Sequence, residues 1–458
     1  MRLVVLVGLV GALGCKRHGR RVAPQTTADA GTAAAGCRAD DRSARDPSVL
    51  VIAHSFGGHT ARAGCEIANV LGARFVRVGD APMPQLQATG PTIDAVLPKL
   101  RLEGVKRVFF GFPIWGASEP SEPARRMLER LTLTGIELVP FYTHIHYADP
   151  TALATLAELV RTRGGVPLPP IALRTPFHLP PPALDRLVHR SLADRPDLLG
   201  TEPAPVVACS VGAVAARGET CAVPAGRVWL GDFGGDGAPD GYAPPRSAHV
   251  ARFEVQRAEV TVREYDACVA ARRCPEARYH DSQCARLLDG DTSRPAPCIS
   301  FDAARSYCGF VGMRLPTEAE WMRAARASST RSYPWGDELP REGDPLRGNF
   351  GEKAATGLPH YTLVPAEQAW PSDGAPGLTA PCRYPSGNSP FGVCDLAGSL
   401  AEWAIDDRGE PVLKGGTWLD ADPAAFRVGA RAHQSLEQPK LGVGMYLTGL
   451  RCVRAEDR

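Results

Sequence analysis

The chain has 458 residues, which is two domains or more at ordinary domain sizes, and its 44% hydrophobic and 22% charged content excludes a wholly disordered chain. Net charge is +2, from 52 basic against 50 acidic residues, so there is no global field for nucleic acid or a lipid surface. No apolar run approaches the roughly 18 residues that an ordinary membrane-spanning helix needs.

Met1-Arg2 is a short basic start, followed by an apolar stretch from Leu3 to Leu13 of signal-peptide length. Gly14 and Cys15 come next, and small residues before a Cys in this setting resemble a bacterial lipoprotein signal. The resemblance implies removal of residues 1–14 and lipidation at Cys15. An ordinary secretory signal is the alternative, because Ala12 stands where a branched residue is usual. Residues 15–47 read as the lipidated Cys and a flexible tether; "TTADAGTAAAG" is small and polar with no apolar face.

Strand and helix patterns then alternate over residues 48–197. Apolar runs at Val49–Ala53, Arg74–Val78, Val108–Phe112, Ile136–Phe141 and Leu168–Leu173 predict strands. Between and after them lie helical stripes: Ala63, Ile67, Val70, Leu71; then Ala124, Met127, Leu128, Leu131; then Leu153, Leu156, Ala157, Val160; then Leu184, Leu187, Val188, Leu192. This order predicts a doubly wound α/β parallel sheet of five strands. The segment around Pro98 is a poor helix, and Pro167, Pro169 and Pro170 place the last strand at a sheet edge. Ligands of such sheets sit at the carboxyl ends of the strands. There the first strand ends in His54-Ser55-Phe56-Gly57-Gly58-His59-Thr60, a Gly-rich and hydroxyl-rich loop opening onto a helix N-terminus suited to an anion.

Residues 198–217 read as a linker and 218–458 as a second domain. Ten of the 13 cysteines lie beyond Pro203 without a zinc-type spacing, which points to disulfides in an exported chain. Local pairs Cys209–Cys221, Cys268–Cys274, Cys284–Cys298 and Cys382–Cys394 would leave Cys308 and Cys452; the sequence alone leaves the connectivity open. Cys37 and Cys65 remain, either as a bridge between tether and domain or with Cys65 as a buried free thiol. Phe301–Cys308 is a short amphipathic helix. Thr317 with Glu320 three residues later is a capping box that starts another.

Two resemblances add to this. "VLVIAHSFGGHTARAGCEIANVLGARFVRV", "RVFFGFPIWGASEPSEPARRMLERL" and "IELVPFYTH" resemble successive parts of a flavodoxin. That resemblance implies a flavodoxin-like domain binding FMN, with Ser55, Gly57, Gly58, His59 and Thr60 at the phosphate. Pro113, Ile114, Trp115, Gly116 and Ala117 would lie against the ring, with Thr143 and His144 from the loop after the fourth strand. Gly57 and His59 stand where the family has Thr and Asn, and an empty scaffold is the competing reading.

The second domain carries "VPAGRVWLGD", "CISFDAARSYCGFVGMRLPTEAEWMRAAR", "YPWGD", "SPFGVCDLAGSLAEW", "LKGGTW" and "TGLRCVR", in order. Together they resemble the formylglycine-generating, sulfatase-modifying enzymes. The resemblance implies an α+β C-type-lectin-like fold and a Cys308–Cys452 bridge. It also implies a calcium site at Asn349, Phe350, Asp373 and Ala375. The copper-binding cysteines of the oxidases fall on Asp420 and Ala425, so formylglycine-generating activity is predicted absent; Asp420 and Asp422 read as a solvated acidic loop. A second metal position of the family falls on Ser399 and Glu402, where the Asn is lost. The expected whole is an exported, lipid-anchored protein of the bacterial cell envelope. It would transfer electrons through FMN to an unidentified envelope redox partner, touch the membrane through its lipid anchor only, and bind no nucleic acid. The alternative is a non-catalytic envelope binding or scaffold protein in which both folds are retired.

Overall fold

The computed structural model describes residues 46–55, 58–79, 91–114, 122–144, 150–175, 179–200, 209–211, 218–233, 245–276, 288, 290–341, 343–350, 373, 375, 377–420, 422–431 and 447–455. Cys15 and the tether lie outside them.

The first lobe runs β1 (Val49–His54), α1 (His59–Leu71), β2 (Arg74–Val78), α2 (Ile93–Val96), β3 (Arg107–Ile114), α3 (Glu122–Arg130), β4 (Glu137–His144), α4 (Pro150–Thr162), β5 (Val166–Pro167), β6 (Ile171–Arg174), α5 (Pro181–Ala193) and α6 (Pro196–Leu199). The strands pair in parallel in the order β2-β1-β3-β4-β5, with β6 also on β4. That order is the flavodoxin-like one. Alternate residues of β1 feed opposite faces. Leu50 and Ile52 join Phe110, Phe112, Met127 and Leu128, whereas Val51 and Ala53 join Ile67, Phe109, Phe141 and Leu184. Burial on both faces is why the strands read as unbroken apolar runs.

Two expectations are corrected. The fifth strand is two short pieces, because Pro169 and Pro170 cannot donate to the ladder. Val166–Pro167 pairs with Glu137 and Leu138, and Ile171–Arg174 pairs with Phe141–His144. The linker does not begin at residue 198: Leu198 and Leu199 are buried in the core shared with α1 and α5.

The second lobe begins at β7 (Cys209–Val211), earlier than residue 218, because β7 pairs antiparallel with β8 (Glu219–Val223). It continues with β9 (Gly226–Leu230), β10 (Arg246–Val250), β11 (Phe253–Gln256), α7 (Val262–Ala270), α8 (Phe301–Phe310), α9 (Glu318–Arg326), β12 (Ala401–Ile405), β13 (Pro411–Lys414), β14 (Thr448–Gly449) and β15 (Val453–Ala455). Small sheets β15-β11-β8-β7, β13-β12-β14 and β10-β9 surround two apolar clusters, one on Tyr265, Tyr307 and Trp403 and one on Trp321, Phe253 and Val393. Thr317 and Glu320 form the expected capping box of α9.

Cys209–Cys221, Cys268–Cys274, Cys382–Cys394 and Cys308–Cys452 are all bridged. Cys308–Cys452 spans a separation of 144 residues, which in the chain-entropy model stabilises by about 5 kcal/mol. Cys65 and Cys298 are also disulfide-bonded, so Cys65 is not a free thiol; Cys37 and Cys284 lie outside the described residues.

The lobes share a core. Trp229 and Phe233, at and just beyond β9, are buried in the same cluster as α1 and α5 of the first lobe. Arg227 of β9 pairs with Asp46 at 3.1 Å.

Under β13 runs a chain of buried charge. Lys414, fully buried, lies 3.3 Å from Glu318, and its ammonium sits over the Trp321 ring at 5.6 Å. Arg431 donates to both Glu318 oxygens, at 3.1 and 2.8 Å. Burial opposes ionisation of Glu318, but Lys414 and Arg431 outweigh it and bring the carboxyl from its usual 4.5 down to about 2. A depressed carboxyl contributes stability that is present above pH 4.5 and lost as pH falls through about 2. Glu318→Gln leaves Lys414 buried without its counter-charge. It is expected to cost about 3–5 kcal/mol in urea unfolding at pH 7, and to remove the Glu318 share of the loss between those pH values.

Candidate functional site

The carboxyl edge of the first sheet brings together Ser55, Gly58, His59, Thr60, Pro113, Ile114, Thr143 and His144. Ser55 is buried at the end of β1; its N–H donates to Val78 O at 3.1 Å, and its Oγ accepts from Gly58 N–H at 3.0 Å. Gly58 is the N-cap of α1 at φ 89°, a left-handed conformation open to Gly, and no side chain caps this helix. The first turn closes with Arg62 N–H on Gly58 O at 2.9 Å, so the amides of His59, Thr60 and Ala61 have no intrahelical acceptor. Added at Gly58, a Cβ would meet nothing within 4 Å among the described residues. The dipole end of α1 favours an anion at this corner.

The hydroxyls of Thr60 and Thr143 lie 2.6 Å apart, both buried, and join α1 to the end of β4 across 83 positions of sequence. Pro113 and Ile114 end β3 and pair in register with Thr143 and His144. The His144 ring lies 5.6 Å from Tyr142, and its Nδ1 is buried without a hydrogen-bond partner among the described residues. Burial, with the Arg174 cation nearby, holds this imidazole below its ordinary pKa. Arg174 pairs with His144 in the β4–β6 register; it was not among the sequence candidates, because an arginine closing a strand has no signature of its own. Gly111 of β3 is a packing requirement: a Cβ there would come within 2.1 Å of the Phe141 ring. Gly57, Trp115, Gly116 and Ala117 lie outside the described residues.

In the second lobe the four calcium candidates converge. Asp373 accepts from Asn349 Nδ2 at 2.6 Å, Phe350 N–H at 3.1 Å and Ala375 N–H at 2.8 Å. All four residues are buried, and Asn349 Oδ1 has no hydrogen-bond partner among the described residues. As placed, the carboxylate is satisfied by N–H donors. A cation would take the Asn349 oxygen with the carboxamide turned over, an all-oxygen set of the kind calcium uses.

The positions of the family's oxidase chemistry serve internal bonds here. Asp420 is not a solvated acid: its Oδ2 accepts from Thr417 N–H at 2.7 Å and from Thr417 Oγ1 at 2.8 Å. Asp422 caps the short 3-10 turn Pro423–Phe426 that contains Ala425. Glu402 is buried, held by the Arg451 guanidinium at 2.7 Å and by Trp321 Nε1 at 2.7 Å. Ser399 Oγ donates to Glu259 at 2.6 Å, and Leu400 N–H to the same carboxyl at 3.0 Å. Burial, then the neighbouring Glu402 and Asp395 charges, push the Glu259 carboxyl well above its ordinary range. Sequence reasoning passed over Glu259, since a lone Glu ahead of α7 looks like any surface acid.

Among solved structures, the chain is similar to a flavoprotein from Lactobacillus acidophilus in complex with FMN, at 14% identity over 28% of this chain and 93% of that one, with a TM-score of 0.22. It is also similar to flavodoxin 2 of Bacillus cereus, at 13% identity over 32% and 95%, with a TM-score of 0.23. The fold of the first lobe rests on its own strand order. Among curated proteins, an inactive Cα-formylglycine-generating enzyme 2 of Bos taurus is 33% identical over 29% of this chain and 41% of its own length. The chain thus spans about two fifths of that relative. A formylglycine-generating enzyme of Streptomyces coelicolor is 26% identical over 53% of this chain and 93% of its own length. Residues 211–456, more than half of the chain, match the model of the sulfatase-modifying factor enzyme 1-like domain, which has the C-type-lectin-like fold. By that match the chain belongs to the sulfatase-modifying factor family, with a flavodoxin-like lobe fused ahead of the family domain.

Proposed function

We propose that this chain is an exported, lipid-anchored electron carrier of the cell envelope that holds FMN at the carboxyl edge of its first sheet. Its second lobe would be a binding domain without formylglycine-generating activity. The observation that carries the reading is the N-terminus of α1, which no side chain among the described residues caps, with Gly58 in the left-handed region and no described atom within 4 Å of a Cβ placed there. The amides of His59, Thr60 and Ala61 would bind the phosphate. Two hydroxyl hydrogens belong to the Thr60–Thr143 pair and one serves the bond between them, leaving the other to donate to a phosphate oxygen. His144 adds a ring nitrogen in need of a partner beside the end of β3. Bound FMN supplies one- or two-electron chemistry; the residues around it orient it and keep out water.

Export is supported by the bridges, which persist in oxidising compartments. The lipid anchor rests on Cys15. The loss of oxidase activity rests on Asp420 and Ala425, neither of which offers the thiolate a soft copper ion takes.

Titrating the refolded chain with FMN is expected to quench flavin fluorescence at micromolar concentrations, with Trp115→Ala quenching less. Gly58→Asp puts a carboxylate at the corner and is expected to weaken binding at least tenfold while leaving circular dichroism unchanged. Chain that leaves flavin fluorescence untouched at micromolar FMN would end the electron-carrier reading and leave the scaffold one. For the anchor, Cys15→Ser is expected to move the protein from the membrane pellet to the soluble fraction.

The buried Asn349 oxygen supports calcium as a second ligand. Millimolar calcium is expected to raise the unfolding temperature of the second lobe, with a chelator reversing the shift and Asp373→Asn abolishing it. An unchanged midpoint in calcium assigns the Asn349–Asp373 cluster to internal hydrogen bonding alone.

A further inference from the structure

We propose that Cys382–Cys394 is a redox-active bridge that exchanges with a dithiol, protein-borne or small, with Asp395 as its proton relay. The proposal goes beyond the flavin reading and needs no flavin. Cys394 is fully buried whereas Cys382 is partly exposed, which assigns Cys382 as the cysteine attacked and Cys394 as the leaving group. Both sulfurs and a carboxylate oxygen of Asp395 lie within 4.8 Å of one another, the one such trio of His, Cys, Asp or Glu ligand atoms among the described residues. Asp395 Oδ2 accepts from Cys382 N–H at 2.6 Å, which aims the carboxyl at the bridge. Cys382 and Asp395 are both held in the left-handed region, at φ 59° and 56°, a strained state for residues with a Cβ and one that recurs at functional sites.

The other bridges lack this constellation. Cys308–Cys452 is buried at both ends, and Cys268–Cys274 nearly so. Cys209–Cys221 has a part-exposed sulfur but no Asp395 counterpart.

The groups facing Asp395 are Arg451, Arg257, Glu402, Glu259 and Tyr384. Burial raises the carboxyl pKa against the Cys382 hydrogen bond and the Arg451 charge, which keeps a proton within its reach. Arg451 also donates to Cys394 O at 2.8 Å, placing a fixed cation beside the buried cysteine.

In the exchange, a thiolate of the incoming dithiol attacks Cys382 Sγ. The Cys382–Cys394 bond breaks with its electron pair going to Cys394 Sγ, which takes the proton of the Asp395 carboxyl. The second thiol of the dithiol gives its proton to the Asp395 carboxylate and attacks its own sulfur in the mixed disulfide, releasing Cys382 as thiolate. The dithiol leaves oxidised to a disulfide, and the bridge is reduced by two electrons.

The test uses the full chain, graded dithiothreitol, and alkylation read by mass spectrometry. Cys382 and Cys394 are expected to label first, at a dithiothreitol concentration at least tenfold below that for the other bridges. Asp395→Asn is expected to slow the reduction at least tenfold at pH 7 and to flatten its pH profile, with circular dichroism unchanged. The labelling order needs no variant, so it decides the case even where Asp395→Asn unfolds. Co-reduction with Cys308–Cys452, or an unchanged rate in Asp395→Asn, overturns the proposal. Zinc retained by the reduced cysteine pair without dithiol exchange overturns it too, and assigns the cluster to metal binding.

Discussion

A guanidinium taken wholly out of water must find acceptors for all its donors, and in the second lobe that requirement falls on Arg451. It is fully buried. Its Nε and Nη2 hold Glu402, its Nη1 reaches Gln256 O and Arg257 O, and its Nη2 also reaches Cys394 O. One side chain thereby ties together the exit of β11, strand β12, the cysteine-bearing turn before it, and the C-terminal segment that is itself bridged to α8. A lobe with so little regular structure cannot satisfy its backbone through ladders alone. Many of its irregular carbonyls accept from side-chain donors instead, and Arg451 alone takes three of them.

The same contrast explains what could be read from the sequence. In the first lobe each element buries one stripe or both faces, so periodicity locates it; β2 falls on the five residues Arg74–Val78 that alternation marks out. The misses there follow from proline at an edge and from a buried Leu198–Leu199 pair too short to show a period. In the second lobe, positions are defined by partners far along the chain. The Thr317–Glu320 box is local and was legible; the Ser399–Glu259 contact spans 140 positions and was not. The phosphate corner was legible in residue type, but the Thr60–Thr143 pairing was not, because hydroxyls 83 positions apart carry no spacing signal.

Trp229 decides how the lobes relate. A linker over residues 198–217 suggests two separate bodies. Instead Trp229 is fully buried in the cluster that also packs α1 and α5, edge-on to Phe233 with ring centres 5.9 Å apart. Apolar burial of this kind between segments of one chain resists relative motion, unlike a polar domain contact. Because α1 carries the candidate anion corner at its N-terminus and Trp229 packs against the helical layer it belongs to, the second lobe helps to fix the helix that the site depends on.

Inside the second lobe the buried acids outnumber the buried base at Arg451. Glu259, Glu402 and Asp395 all act on one another or on this guanidinium. Carboxylates crowded together in a medium of low polarity cannot all ionise at low cost, even with Arg451 and Arg257 nearby. Glu402 accepts from Arg451 Nε and Nη2 and from Trp321 Nε1. Glu259, bonded to Ser399 and the Leu400 amide, is pushed furthest toward its protonated form, and Asp395 is raised as well. The interior of the second lobe is therefore not electrostatically inert. Coupled acids lie beside a strained turn, and burial raises the proton affinity of Glu259 and Asp395 against the opposing Arg451 charge.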